Sequence, residues 1–319
     1  MPFHTKPLSL LYEKMKRCDD VKNKENSINY EIDESIYEEV LIESNNTPIA
    51  LSIWKSRKED PCVVFLPGTM THPLFYLEFL SILAKEGFNV IGVHPVSHGK
   101  SPREKIKYDF NDMIQNAKDA ITYAIERFND NVLLMGSSQG GILTIALAGL
   151  DHRIKAAFPH NILVPQLSDS ISVTNFPKWF RNFYGLIIGS MKLGAKIAPG
   201  MKIPISFYLD DNKIFGEEET KKRFYQDPIG ITSYPLYFLA SLFSADMKQI
   251  CDGSIKCPVI VIASKGDTLF PFDYCQKVFD MIVAPKKEML IFEENRHLIM
   301  NECVNSVAPA IVKKLQEYS

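Results

Sequence analysis

Two serines stand side by side at Ser137 and Ser138, between the apolar runs "VLLM" and "ILTIALA". A serine hydroxyl is a useful nucleophile only when a base takes its proton, and the base works best when a carboxylate fixes its tautomer. The neighbours decide which serine could be used in this way. Ser138 has Gly136 and Gly140 two residues away on each side, giving G-x-S-x-G as "GSSQG", whereas Ser137 has Met135 and Gln139 at the same offsets. A sharp turn from strand to helix brings backbone close on both sides of its central residue, so small residues are needed there. Ser138 is the candidate nucleophile, with Gly136 and Gly140 as the glycines of its turn. An acid and then a histidine should follow, each in a loop after a later strand. "PVIVIASKGDTLFP" ends a β-rich run in Asp267, and "EMLIFEENRHLIM" ends the next in a loop carrying His297. The charge that develops on an attacked carbonyl oxygen needs backbone N–H donors, one of them from the residue after the nucleophile, Gln139. A second should come from a loop after an earlier strand, and "FLPGTMTHPLFY" is such a loop.

The elements that would hold these residues are legible as a pattern. "YEEVLIES" and "IALSIWKS" are short β-rich runs joined by "NNTP" and predict an antiparallel hairpin. From "CVVFLPG" onward, short apolar strands alternate with helical stretches: "FYLEFLSILAKEG", "NVIGVHP", "YDFNDMIQNAKDAITYAIERF", "NVLLMG", "GGILTIALAGL" and "IKAAFPHN". The alternation resumes with "PVIVIASKGD", "YCQKVFDMI", "EMLIFEE" and "VAPAIVKKLQEY". This order predicts an α/β fold with a mostly parallel sheet flanked by helices. It divides into an N-terminal leader over 1–36, a core domain over 37–160 and 250–319, and a mostly helical cap insertion over 161–249.

The insertion is rich in aromatic residues and would lie over the carboxyl edge of the sheet, where α/β proteins bind ligands. Trp179, Phe183, Tyr184, Tyr234 and Phe238 are the candidates to line a substrate pocket there. An apolar roof favours a small substrate with a hydrophobic acyl part. Bulk properties narrow the field further. A net charge of -2 over 319 residues, with Lys and Arg scattered, gives no basic patch for nucleic acid. Lys192, Lys196 and Lys202 interrupt the best membrane-spanning candidate, so no transmembrane segment is expected, though the cap could touch a membrane surface transiently. The start lacks the apolar core of a secretory signal, which points to the cytoplasm. The six cysteines form no close pairs and are expected as thiols. His4, His94, His152 and His160 show no metal-like spacing, and no metal or cofactor is expected.

On these residues the chain resembles the α/β-hydrolases, most closely the monoacylglycerol lipase-like, serine aminopeptidase S33-type branch. That branch's oxyanion loop, H-G-x-G-E-H followed by a tyrosine, is matched at Gly68, His72 and Tyr76, and its D-x-x-G-H-G-x-S at His98, Gly99 and Ser101. The resemblance covers roughly Tyr37 to the C-terminus and implies that the Thr69 amide is the second oxyanion donor. It also places His72 and His98 near that loop as hydrogen-bonded structural histidines, and Tyr76 in the core or pocket wall. Pro67 stands where the branch has His, His94 where it has Asp, and Ser137-Ser138-Gln139 where His-Ser-Met is common. These departures keep the triad and bring the polar side chains of Thr69 and Gln139 to the site. The implied activity is that of a serine hydrolase, lipase- or esterase-like, cleaving a carboxylic ester through an acyl-enzyme. A thioesterase or acyltransferase would use the same triad, and a non-catalytic small-molecule-binding protein would keep the same fold.

Overall fold

Asn45 and Asn46 turn the first hairpin. The structure, a computed structural model, describes residues 6–7 and 30–319. A two-residue strand β1 (Lys6–Pro7) pairs with β2 (Tyr37–Ser44), which runs antiparallel to β3 (Thr47–Trp54). The two asparagines between β2 and β3 have φ of 50° and 59°. Asparagine tolerates this left-handed region, and two such residues in succession make the tight turn whose twist matches the flanking strands. The loop expected over "NNTP" is therefore only two residues long. Thr47 and Pro48 already pair with Ser44 and Glu43, and the second strand ends at Trp54, two residues before the end of the predicted run.

The apolar runs form the middle of the sheet. β4 (Cys62–Leu66), β5 (Asn89–Val93), β6 (Val132–Ser137), β7 (Ile154–His160), β10 (Val259–Ser264) and β11 (Lys287–Phe292) are mutually parallel, and β3 joins β5 antiparallel. The order is β1-β2-β3-β5-β4-β6-β7-β10-β11. Every residue of β4, β5, β6 and β10 is buried, as expected of strands covered on both faces. The helices supply the cover. α1 (Leu77–Lys85) packs against α8 (Val304–Glu317), and α2 (Phe110–Arg127) against α3 (Gln139–Ala148). α3 has no exposed polar face and is buried at all ten positions, which suits a helix enclosed by other elements. α2 begins on a reciprocal cap: Asp109 accepts the Asp112 N–H and Asp112 accepts the Asp109 N–H, each at 3.0 Å.

Between β7 and β10 the chain leaves the sheet. It forms α4 (Tyr184–Ile197), α5 (Glu218–Gln226) and α6 (Leu236–Leu242), several single turns, and a pair of three-residue strands, β8 (Lys202–Pro204) and β9 (Ser233–Pro235). No strand signal is legible there, because three residues ending in proline are too short to show alternation. After β10, α7 (Phe272–Met281) leads to β11. Cys62, Cys257 and Cys275 are buried free thiols, Cys303 is half-buried and Cys251 exposed, while Cys18 lies outside the described residues. Among the described residues no helix is long and apolar enough to cross a membrane.

Two glycines separate crowding from propensity. A Cβ on Gly140 would lie 2.0 Å from the Leu66 carbonyl oxygen, while one on Gly189 in α4 would meet nothing within 4 Å. Gly140→Ala is expected to cost more than about 2 kcal/mol through displaced backbone, and Gly189→Ala to stabilise by roughly 0.5–1 kcal/mol. Urea unfolding midpoints measure both, and equal shifts would contradict the packing at Gly140.

Candidate active site

Ser138 sits where β6 ends and α3 begins, and its backbone is strained: φ is 53° in a residue with a side chain. Its neighbours hold it there. A Cβ on Gly136 would lie 2.1 Å from the Gly140 carbonyl oxygen, so the chain can double back only with glycine at both positions. The Ser138 N–H is donated to the His160 carbonyl at 2.9 Å, and its carbonyl accepts from Gly141 at 2.7 Å. These bonds fix the turn and leave the hydroxyl facing His297.

His297 Nε2 lies 3.1 Å from Ser138 Oγ, and His297 Nδ1 lies 3.1 Å from Asp267 Oδ2. The carboxylate settles the direction of these bonds. Asp267 Oδ1 accepts the backbone N–H groups of Leu269 and Phe270, both at 2.8 Å, and Oδ2 accepts Asn161 Nδ2 at 2.8 Å as well as His297 Nδ1–H. An ionised carboxylate only accepts, so Nδ1 carries the proton and the bare Nε2 faces the serine. Burial pushes the Asp267 carboxyl up, but its electrostatic pairing and hydrogen bond with His297, together with His160 and the Phe270 N–H, hold it below the usual range. Phe270 stacks on His297 at 5.5 Å between centroids, covering one face of the ring.

His160 and Asn161, at the end of β7, were not picked out from the sequence as site residues. Asn161 takes φ of 57° and is wholly buried, and its amide nitrogen bridges Asp267 and His160 Nε2, the latter at 3.0 Å. Its oxygen accepts from the Cys275 thiol at 3.4 Å. His160 stacks against His297 at 5.8 Å, and burial first, then the charge of His297, drives its pKa down to about 3. It is a neutral partner for the asparagine. The available signal was "PHN", a polar pair closing an apolar strand beside the strand that carries the serine.

The loop after β4 lies across from the histidine. The Gly68 N–H is donated to the Tyr76 hydroxyl at 3.2 Å, and the Met70 N–H to the Tyr234 hydroxyl at 2.9 Å. Both amides flanking Thr69 are thus occupied, whereas the N–H groups of Thr69 and Gln139 have no hydrogen-bond partner among the described residues. Thr69, Gln139 and Ser138 line one hollow. Tyr234 also reaches His98 Nε2 at 3.0 Å and Gln139 Oε1 at 3.1 Å, and His98 donates Nδ1–H to the Val96 carbonyl at 2.8 Å. Behind the loop His72 bonds Asp227 at 2.7 Å, and Asp227 also accepts the Tyr30 hydroxyl. His94 stacks on His72 at 5.8 Å, and a Cβ on Gly99, where φ is 52°, would collide with His94 Nδ1 at 2.1 Å.

The space around Ser138 divides into two narrow lobes that share Thr69, Ser138, Leu209 and Leu269. Phe215, Phe224 and Leu298 wall one, and Leu163, Leu242 and Phe243 the other. Most of the aromatic residues expected to line the pocket do not face it. Trp179 and Phe183 are 60% and 51% exposed, and Tyr234 and Phe238 are completely buried and line neither lobe. Aromatic content does not show which way a ring points. Tyr234 packs on Phe238 at 4.4 Å and directs its hydroxyl to the Met70 amide, while Tyr184 lines a separate groove.

The chain and its fold have counterparts among known proteins. The sequence profile of the serine aminopeptidase, S33, family matches residues 57–304. The AB hydrolase superfamily protein YisY of Bacillus subtilis (strain 168) is 22% identical over 237 residues, 68% of this chain and 78% of that protein. Monoacylglycerol lipase from Paleococcus ferrophilus superposes with a TM-score of 0.68 at 20% identity, over 85% of this chain and 99% of the lipase. A soluble variant of monoglyceride lipase from Saccharomyces cerevisiae, solved with a substrate analogue, gives 0.69 at 17% identity, over 93% and 98%.

The buried histidines make stability depend on pH. His160 and His98 are both held near 3 and His94 well below its usual value, in each case chiefly by burial. Below about pH 6.5 the unfolded chain binds protons that these rings refuse when folded, so stability present at neutral pH is lost as pH falls from about 6.5 towards 3. Urea midpoints should therefore fall steadily over that range, and less steeply in His98→Gln. An identical slope in that variant would show that His98 titrates normally in the folded protein.

Proposed function

Because the chain belongs to the serine aminopeptidase (S33) family of α/β-hydrolases, we propose that it is a serine hydrolase that cleaves a carboxylic ester with a hydrophobic acyl part. The observation that carries this reading is the continuous chain of hydrogen bonds from Ser138 Oγ through His297 to a fully engaged Asp267, at 3.1 Å and 3.1 Å. Ser138 attacks the carbonyl carbon while its proton passes to His297 Nε2. Asp267 holds the imidazole with Nδ1 protonated and stabilises the imidazolium. The unoccupied N–H groups of Thr69 and Gln139 receive the oxyanion. Collapse of the tetrahedral intermediate releases the alcohol with the proton from His297, and water, activated by the same histidine, then hydrolyses the acyl-enzyme.

The walls of both lobes support an apolar substrate, since burying each methylene there contributes about 0.8 kcal/mol. Residues 161–249 act as the cap over this site. Exposed Trp179, Phe183, Leu193 and Ile197 on its outer side suit brief contact with a lipid surface from which such a substrate could be drawn.

Ser138→Ala is expected to lower hydrolysis of short p-nitrophenyl esters by at least about a thousandfold, with Ser137→Ala retaining most activity. Similar losses in the two variants would remove the assignment of the nucleophile. Tyr234→Phe keeps the ring but frees the Met70 amide, and should lower kcat about tenfold with little change in KM. A change confined to KM would place Tyr234 in substrate binding instead.

A further inference from the structure

Tyr208 ends a single helical turn of the insertion (Ile205–Tyr208), and its ring lines the lobe beside Ser138 that also holds Gln139. The same ring, with Phe243, lines a second hollow, an apolar groove of about 520 Å³ within the insertion, between α4 and α6. The two rings meet edge to face, with centroids 6.4 Å apart. Groove and site therefore adjoin at this pair.

The wall of the groove is nearly all hydrocarbon, from residues such as Ile187, Met191, Ile203, Leu236 and Leu239. A buried phenol in such a place normally finds a partner, because an unmet hydroxyl forfeits its bonds to water. Among the described residues the Tyr208 hydroxyl has none, and neither does that of Tyr184, which lines the same groove. Tyr208 is 6% exposed, and burial holds its pKa well above that of an ordinary phenol, so it remains a hydrogen-bond donor at neutral pH. An alkyl chain that passed Tyr208 without bringing an acceptor would leave that donor unmet.

We propose that Tyr208 is a specificity residue: the acyl part of the substrate runs from Ser138 past Tyr208 and Phe243 into the groove, and carries an oxygen acceptor that takes the Tyr208 hydrogen bond. The substrate class is thus an oxygenated acyl ester, with a keto, hydroxyl or amide oxygen along an otherwise apolar chain. This inference rests on the reading of Ser138 as nucleophile. A site that offers a hydrogen bond discriminates against the analogue lacking it more strongly than an apolar wall discriminates by size.

The test is a series of p-nitrophenyl alkanoates of one chain length, plain or with a single keto group moved along the chain. At one position the keto ester should exceed the plain ester about tenfold in kcat/KM. Tyr208→Phe, which keeps the ring, should abolish that preference and improve the plain ester. No preference in the wild type, or one that survives in Tyr208→Phe, overturns the proposal. Calorimetric binding of the corresponding free acids to Ser138→Ala, and to Ser138→Ala combined with Tyr208→Phe, needs no turnover. A preference for the keto acid that depends on Tyr208, without ester hydrolysis, would sink the esterase reading alone. Hydrolysis with equal binding of the two acids, or no binding of either, would sink this one.

Discussion

A buried carboxylate must find donors, and Asp267 has four accepting positions to fill far from water. Meeting that demand organises the site. Two of its donors are backbone N–H groups of Leu269 and Phe270, so the chain after β10 must turn back tightly on itself. A third is the amide of Asn161, which reaches the carboxylate from a left-handed backbone at the end of β7. The fourth is His297, whose tautomer is set as a result. Three loops from three parallel strands are thereby tied to one charge. Removing any donor would leave part of that charge unpaired in a low-dielectric site, where the penalty is steep.

How much of this could be read from the sequence follows from the range of each interaction. β4, β6 and β10 were visible because a strand covered on both faces must be apolar throughout, and the turn at Ser138 was visible because crowded backbone demands Gly136 and Gly140. Those are local constraints written into neighbouring residues. Asn161 was not visible, since it meets Asp267 across 106 positions of chain and nothing beside it records that. The role of Tyr234 is hidden for the same reason: its nearest neighbours mark it as an aromatic of the insertion, while its hydroxyl serves an amide 164 positions earlier. Tyr30, in the N-terminal leader, shares Asp227 with His72. The short strands β8 and β9 lie below the length at which a period of two can be recognised.

Strain and support are balanced around the loop after β4. Met70 has φ of 59° and Ser138 has 53°, so a residue with a side chain occupies a sparsely populated conformation in each of the two segments that bring Thr69 and Ser138 to one hollow. Each is held by hydrogen bonds from outside its own segment: the Met70 amide by Tyr234, and the Ser138 amide by the His160 carbonyl. The insertion is therefore part of the site's framework. His98 completes the arrangement, because its Nδ1–H is committed to Val96 and its bare nitrogen must face the Tyr234 hydroxyl.

The bond between Asp227 and His72 makes the insertion mechanically uneven. Its carboxyl-terminal half is pinned to the loop after β4: separating Asp227 from His72 and Tyr30 would strand a buried carboxylate, at a cost of about 3–5 kcal/mol. The stretch through α4 is held far more weakly, with Ala195 the one buried residue of that helix and none buried in the turn before it. Local opening follows the weaker attachment. The energetic geography of this protein thus keeps the amides of Thr69 and Gln139 on the firmly held side and makes the α4 side the softer one, so that opening there need not disturb the alignment of Ser138, His297 and Asp267.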